Sequence, residues 1–322
     1  MTLSEMANYV CGKCRQTDDN SVARAKEFLT KRYELVYNDS LWRDSLYLFP
    51  FTFVPEYSVL SDRPESWDSI WMMPNIVDKV VALRTASQEI TPSGQELLMR
   101  GGLDAFEQLG DPVQFATLSP CVAILPEGYT HHDVEIFGGD AGQTWTMHVI
   151  DANGNRTKYS DTFPAGNTAI LTDCRIVERV TKQASATAVE IATNSTDTTL
   201  ATCPAADSAF PVRLPIRLIP GPTADVDLMA LVKKKSIALE EDGDTPELRN
   251  IDNCLLAFAQ GDMWERARQL GKANAKFTEA TALLGQLKSM HVWQEHTQIR
   301  LVPEVDSPAG SYGDNLNGKG YW

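Results

Sequence analysis

The sequence predicts an α+β protein: a discontinuous helical bundle made from the two chain ends, with a β-sandwich between them. Three observations carry this. Apolar residues recur at helical spacing near the N-terminus and again over the last third. Between them, short β-branched and aromatic runs follow one another at roughly ten-residue spacing, the spacing of a sandwich, of which the immunoglobulin-like arrangement is one form. The final residues are rich in Gly, Ser, Asn, Asp and Pro. The organisation read from this is residues 1–49 as N-terminal helices, 50–224 as the β-rich domain, 225–301 as a strand and long helices, and 302–322 as a tail.

Thr2 and Glu5 have the spacing of a capping box, and Leu3, Met6, Ala7, Val10, Cys11 and Cys14 then form one helical stripe. A second helix fits Asn20 to Tyr37, with Val22, Ala25, Phe28, Leu29, Arg32 and Val36 near one face. From Phe51 the chain turns to short strand-like runs, including Ile70-Trp71 and Val80-Val81, punctuated by Pro50, Pro55, Pro64 and Pro74. Pro92 to Gln108 reads as a short helix or two, and Gly110-Asp111-Pro112 as a turn. Further strands fit Val134–Phe137, Thr144–Ile150, Thr168–Leu171, Ile176–Val180 and Ala188–Ile191. Asp151-Ala152-Asn153-Gly154-Asn155 reads as a hairpin loop.

Val212, Leu214, Ile216 and Leu218 alternate with Arg213, Pro215 and Arg217, the period of a half-buried strand. Proline has no N–H for a ladder, so Pro215 predicts an edge or bulged position. Leu228 to Val232 gives a second strand, and Glu240-Glu241-Asp242-Gly243-Asp244 a solvated turn. Thr245 is the predicted N-cap of a helix with Pro246 in its first turn. The stripe then runs through Leu248, Ile251, Leu255, Ala259, Met263, Ala267, Leu270, Ala273, Phe277, Ala280, Leu284 and Leu287, with Gly261 as the expected break. Unbroken to residue 296 it would extend roughly 75 Å, at ~1.5 Å per residue. The composition of 302–322 predicts a flexible tail that ends in two aromatics, Tyr321 and Trp322.

The chain has 322 residues, a formal net charge of −14 and a pI near 4.8. Tight binding to a phosphate backbone needs clustered cations to release counterions, so the acidic balance argues against a nucleic-acid-gripping protein. Lys233-Lys234-Lys235 is the one basic run, and reads as a solvated strand end. No run of about 18 apolar residues predicts a transmembrane helix, and no signal-peptide pattern opens the sequence. Six cysteines are scattered along it, the pattern of free thiols made in a reducing cytoplasm.

Catalytic and metal signatures fare poorly. Cys11-Gly-Lys-Cys14 has CxxC spacing, but zinc needs four ligands and no second CxxC or HxxxH pair exists. Both cysteines continue the apolar stripe, so they read as core. Asp151, Asn153 and Asn155 imitate the start of a calcium loop, but Arg156 and Thr162 stand where that loop needs Gly and Glu. His131, His132 and His148 lie in β-rich sequence, and His291 and His296 are five apart, which does not put two imidazoles on one helix face. Gly138-Gly139-Asp140-Ala141-Gly142 precedes a strand, so it lacks the helix N-terminus that cradles phosphate. No catalytic residue, cofactor or metal site is assigned.

The order of elements from Phe210 to Lys288 resembles that of tailed-bacteriophage neck proteins, the head-to-tail adaptors or connectors. It comprises a strand, a second strand, an acidic turn and a very long helix-forming stretch. Arg32-Tyr33-Glu34-Leu35-Val36-Tyr37 followed by Leu41-Trp42-Arg43-Asp44 is similar to the openings of that group, where early helices lead through a Tyr-rich turn and a Trp into β structure. The resemblance implies a non-enzymatic virion protein, made in the host cytoplasm. It would form a homo-oligomeric ring, typically a dodecamer, between the portal protein and the tail or next neck protein. The ring would line the channel, and an acidic lumen would let genomic DNA pass without binding it. Members of the group use terminal segments to grip neighbours, which makes Tyr321 and Trp322 the candidate interface residues. A tail-tube terminator or another neck ring is the alternative within the virion. A β-sandwich carbohydrate-binding protein is the alternative outside it.

Overall fold

The computed structural model describes residues 1–54, 66–67, 70–93, 110–125, 133–151, 153–164, 168–171, 174–193 and 199–292. The protein is α+β. It divides into two compact units. One is formed by Leu3–Arg43 with the helices that follow Asn250, and the other by Asp44–Arg249.

Among the described residues the first unit holds four helices: α1 (Leu3–Cys14), α2 (Asp19–Asp39), α3 (Asp252–Arg266) and α4 (Leu270–His291). The six stripe residues of α1 are all buried. Asp18 caps α2, its carboxylate accepting from Ser21 N at 3.1 Å and Ser21 Oγ at 2.7 Å. The buried face of α2 is Ala25, Leu29, Tyr33, Val36 and Tyr37. The two tyrosines meet edge-on, with centroids 5.8 Å apart. Val22, Phe28 and Arg32 flank that face, half-buried. Trp42 closes the end of α2 by donating its indole N–H to Val36 O at 2.8 Å.

The C-terminal stripe behaves differently from its sequence reading. The helix begins at Asp252, not beside Thr245. The polar segment before it folds into turns instead: Asp244 accepts from Glu240 N and Glu241 N, both at 2.8 Å. Gly261 does not break the helix. The break falls at Ala267–Gln269, where Arg268 adopts φ 57° and Gln269 N donates to Trp264 O. Gly261 is there for close approach: a Cβ on it would lie 2.5 Å from Phe277 Cε1. The absent methyl lets the Phe277 ring sit against the α3 backbone. α3 packs against α1, α2 and α4, and accordingly buries Cys254, Leu256, Ala257 and Gln260 besides its stripe.

Arg32 ties these helices together. Its Nε and Nη2 donate to the two Asp262 oxygens at 2.8 and 2.5 Å. Its guanidinium also lies over Phe258 and Phe277, 5.1 and 5.4 Å from their centroids.

Among the described residues the second unit has sixteen strands. They are β1 (Leu46–Phe53), β2 (Ser66–Trp67), β3 (Ile70–Met72), β4 (Val77–Arg84), β5 (Glu89–Pro92), β6 (Gln114–Thr117), β7 (Ala123–Ile124) and β8 (Val134–Phe137). After them come β9 (Thr144–Asp151), β10 (Arg156–Thr162), β11 (Thr168–Leu171), β12 (Cys174–Lys182), β13 (Val189–Thr193), β14 (Thr199–Cys203), β15 (Pro215–Ile219) and β16 (Val226–Lys234). Eight form one sheet in the order β1-β16-β4-β5-β6-β15-β3-β2. Its pairs are antiparallel except β5 with β6. The sheet curls so that strands near its two ends share a core: Phe51 of β1 stacks on Trp71 of β3 at 4.9 Å. Phe53, Leu83, Ile90, Phe115, Ile216 and Val232 fill the space enclosed.

β15 is not the edge strand that Pro215 suggested. It lies between β6 and β3 and is buried on both faces, with only Arg217 partly exposed. Pro215 is tolerated because it is the first strand residue, where its carbonyl still accepts from Leu118 N at 2.9 Å.

The remaining strands form two four-stranded sheets, β10-β9-β12-β7 and β11-β8-β13-β14. Trp145, Met147, Val149, Val177 and Val180 from the first sheet meet Val134, Ile136, Val189 and Ile191 from the second in one apolar core. β9 and β10 form the hairpin expected around Gly154. The predicted helix within 92–108 lies outside the described residues, apart from Pro92 in β5. No described helix is long and apolar enough to cross a membrane.

Alanine is the better helix former by roughly 0.5–1 kcal/mol, yet Gly261→Ala should lower stability, because overpacking against Phe277 costs about 1–3 kcal/mol. Urea unfolding measures it. Adding Phe277→Leu should recover part of the loss, and an unchanged or raised midpoint for Gly261→Ala alone would refute the close-approach role.

Candidate functional site

The six cysteines are all buried, and none forms a disulfide. Cys11 and Cys14 sit inside the helical unit on α1. Burial raises the Cys11 thiol, and it pushes Cys14 up to about 11, Cys254 to about 11 and Cys121 to about 12. A nucleophilic or metal-binding cysteine needs the opposite shift. Among the described residues, no group of three His, Cys, Asp or Glu side chains converges to hold a metal ion.

The Asp151 loop serves the hairpin. Asp151 Oδ1 accepts from Asn153 N at 2.9 Å and Asn155 N at 2.7 Å, and Gly154 takes φ 83°. Those amide hydrogen bonds, Asn155's first, hold the Asp151 carboxyl below its usual range. The carboxylate is thus occupied by its own backbone.

The glycine-rich loop after β8 is a packing device. A Cβ on Gly138 would lie 2.5 Å from Ala188 O, and one on Gly139 would lie 2.1 Å from the Phe163 ring. Asp140 then accepts from Ala186 N at 2.9 Å and Gln143 Nε2 at 2.8 Å, fastening the loop to its neighbour.

The lysine run is less solvated than its sequence predicts. Lys233 is only 4% exposed and lies 3.9 Å from Asp78. Lys234 is 3.5 Å from Glu247, and Lys235 donates to Val212 O at 2.7 Å. Burial lowers the Lys235 pKa. Each amine has a partner in the fold, although Lys235 itself stays exposed. His148 lies on β9 and His291 ends α4, both partly buried. His131, His132 and His296 lie outside the described residues, as do the candidate interface residues Tyr321 and Trp322.

The surface feature that sequence reading missed is on the outer face of β1, β16 and β4. Leu48 is 59% exposed and Met229 38%. Pro50 pairs with Met229, and Leu48 with Leu231. Leu48, Pro50 and Met229, with Arg84, Thr85 and Asp227, bound a shallow groove of about 670 Å³. Asp227 accepts from Thr52 Oγ1 at 2.7 Å. Among the described residues β1 pairs only with β16, so its other edge presents backbone donors and acceptors, interrupted at Pro50. The face therefore combines exposed apolar side chains with a strand edge. The alternation of Leu48, Pro50 and Thr52 was visible in the sequence, but which face lay outward was not.

No protein-family model matches the chain, and no curated protein matches it.

The raised thiols set an alkaline limit. A cysteine held above its unfolded value keeps its proton longer in the folded state, so its stabilisation is complete below the unfolded pKa and lost as pH rises through the folded one. For Cys14 and Cys254 that window runs from 9.0 to about 11. Stability measured by urea unfolding should therefore fall across it, and the fall should be shallower in Cys14→Ala. An identical slope in that variant would exclude Cys14 as a contributor.

Proposed function

We propose that the chain is a non-enzymatic virion protein of the tailed-phage neck, a head-to-tail adaptor. The observation that carries this reading is the chain's division: helices from both ends belong to one compact unit, and 206 residues between them, Asp44–Arg249, form the other. That is the order of parts the resemblance implies. On this reading the four helices are one bundle, side by side around a DNA channel. The two four-stranded sheets with their common core are a β-sandwich of immunoglobulin-like kind, directed outward or toward the tail.

Two further features support it. The exposed Leu48, Pro50 and Met229 face offers an apolar contact for a neighbouring subunit, as a ring requires. The net charge of −14 suits a conduit that duplex DNA traverses without adhering. The buried, raised-pKa thiols and the self-occupied Asp151 leave these groups without catalytic roles. The partners are then further copies of this chain, the portal protein, and the tail or next neck protein. The same features fit a tail-tube terminator or another neck ring.

The purified chain should form rings in electron micrographs, of the dodecameric kind the resemblance implies, and the rings should bind purified portal. A monomer that binds polysaccharide would instead favour the carbohydrate-binding alternative. At about 150 mM salt the chain should not retain duplex DNA, because a net negative surface releases few counterions; tight, salt-sensitive retention would contradict the conduit.

Tyr321 and Trp322 are proposed as terminal anchors, since Trp and Tyr supply much of the energy at binding hot spots. A chain ending at Pro303 should keep its helical content and lose assembly onto the neck. Normal head–tail joining by particles carrying it would rule out the anchoring role.

A further inference from the structure

We propose that the helical unit carries a binding groove for a short peptide segment bearing a carboxylate, with Gln260 at its floor and Lys13 and Lys276 at its walls. The inference does not depend on the adaptor reading. The groove encloses about 440 Å³ and is lined by Tyr9 and Lys13 of α1, Gln260 and Trp264 of α3, and Lys276 and Glu279 of α4.

Gln260 is the first observation. It is 6% exposed, on a helix whose other buried residues are apolar or Cys. Its carboxamide makes no hydrogen bond to another group among the described residues, and its polar atoms are not sealed from the groove they line. The amide therefore presents its polar atoms to the groove from a residue otherwise enclosed in the helical core. A carboxamide offers a donor and an acceptor side by side. A bound segment satisfies both with a carboxylate or backbone C=O and a backbone N–H.

Charge is the second observation. Lys13 lies 5.4 Å from the Tyr9 ring centroid, and Lys272 lies 4.3 Å from that of Trp264. Lys276 is 2.7 Å from Glu279. Three ammonium groups thus stand at the groove and its rim with one carboxylate, in a chain whose net charge is −14. This local reversal of sign selects an anion. Glu279 and the surrounding negative charge disfavour a run of phosphates, which repel at long range. A single carboxylate meets two lysines instead. Leu256 and Leu283 also line the groove and give an apolar side chain beside that carboxylate a place to pack.

The test uses the full chain and two acetylated, amidated hexapeptides, Ala-Leu-Glu-Leu-Glu-Ala and its isostere with both Glu replaced by Gln. The Gln260 side-chain amide resonances are followed by NMR and assigned by their loss in Gln260→Leu. The acidic peptide should shift them saturably. The Gln isostere, or the acidic peptide with the Lys13→Gln/Lys276→Gln protein, should bind about tenfold more weakly, the scale of a charge-assisted hydrogen bond. Gln260→Leu should weaken binding while leaving urea stability equal or higher, which a merely structural glutamine would not do. No saturable shift, equal binding of the neutral peptide, or displacement into the groove of an oligothymidine strand but not the peptide would each overturn the proposal.

Discussion

Neither end of this chain can bury its own apolar stripe. α1 and α2 present Leu3, Met6, Val10, Leu29 and Tyr33, and two short helices cannot enclose such a face alone. The enclosing surface comes from α3 and α4, more than 200 residues later. Arg32 concentrates this dependence: two hydrogen bonds to Asp262 and two aromatic faces, Phe258 and Phe277, converge on one guanidinium. Arg32 and Asp262 are 30% and 10% exposed. Removing either partner would strand a largely buried charge, which costs about 3–5 kcal/mol when burial is complete and less here.

The same long-range closure recurs in the β unit. β1 pairs through its whole length with β16, from Leu46↔Lys233 to Phe53↔Val226. β15 is clasped by β6 and β3. Contacts between residues so distant in sequence pay their loop-closure entropy before any gain from burial. The inserted segment must therefore supply its own stability, and the shared core of its two four-stranded sheets does so. Gly138 and Gly139 serve that core by admitting Ala188 and Phe163 where any Cβ would collide.

The polar groups divide by how they are satisfied. Asp18, Asp151 and Asp244 are consumed by backbone amides. Lys233, Lys234 and Lys235 are consumed by Asp78, Glu247 and the Val212 carbonyl. Gln260 differs from these, a buried residue whose amide lines a groove. The apolar outer face of β1 and β16 is unsatisfied in the other sense, as carbon left facing solvent.

Local chemistry was legible in the sequence. The stripe from Leu3 to Cys14 and the Asp151–Asn155 hairpin each depend on residues close in sequence, so their physics is contained in nearby letters. Elements whose character is set by distant partners were not. Pro215 marked an edge that does not exist, because only the assembled sheet gives a strand its neighbours. Gly261 marked a break, because only the arrival of Phe277 shows why a side chain is missing there. The lysine run looked solvated until Asp78, Glu247 and Val212 came beside it. The groove around Gln260 joins residues from Tyr9 to Glu279, and no periodicity encodes that meeting. The sequence determined which faces were apolar and where the backbone turned; tertiary structure alone decided what each face met, because burial and charge pairing belong to pairs of residues that the linear order keeps apart.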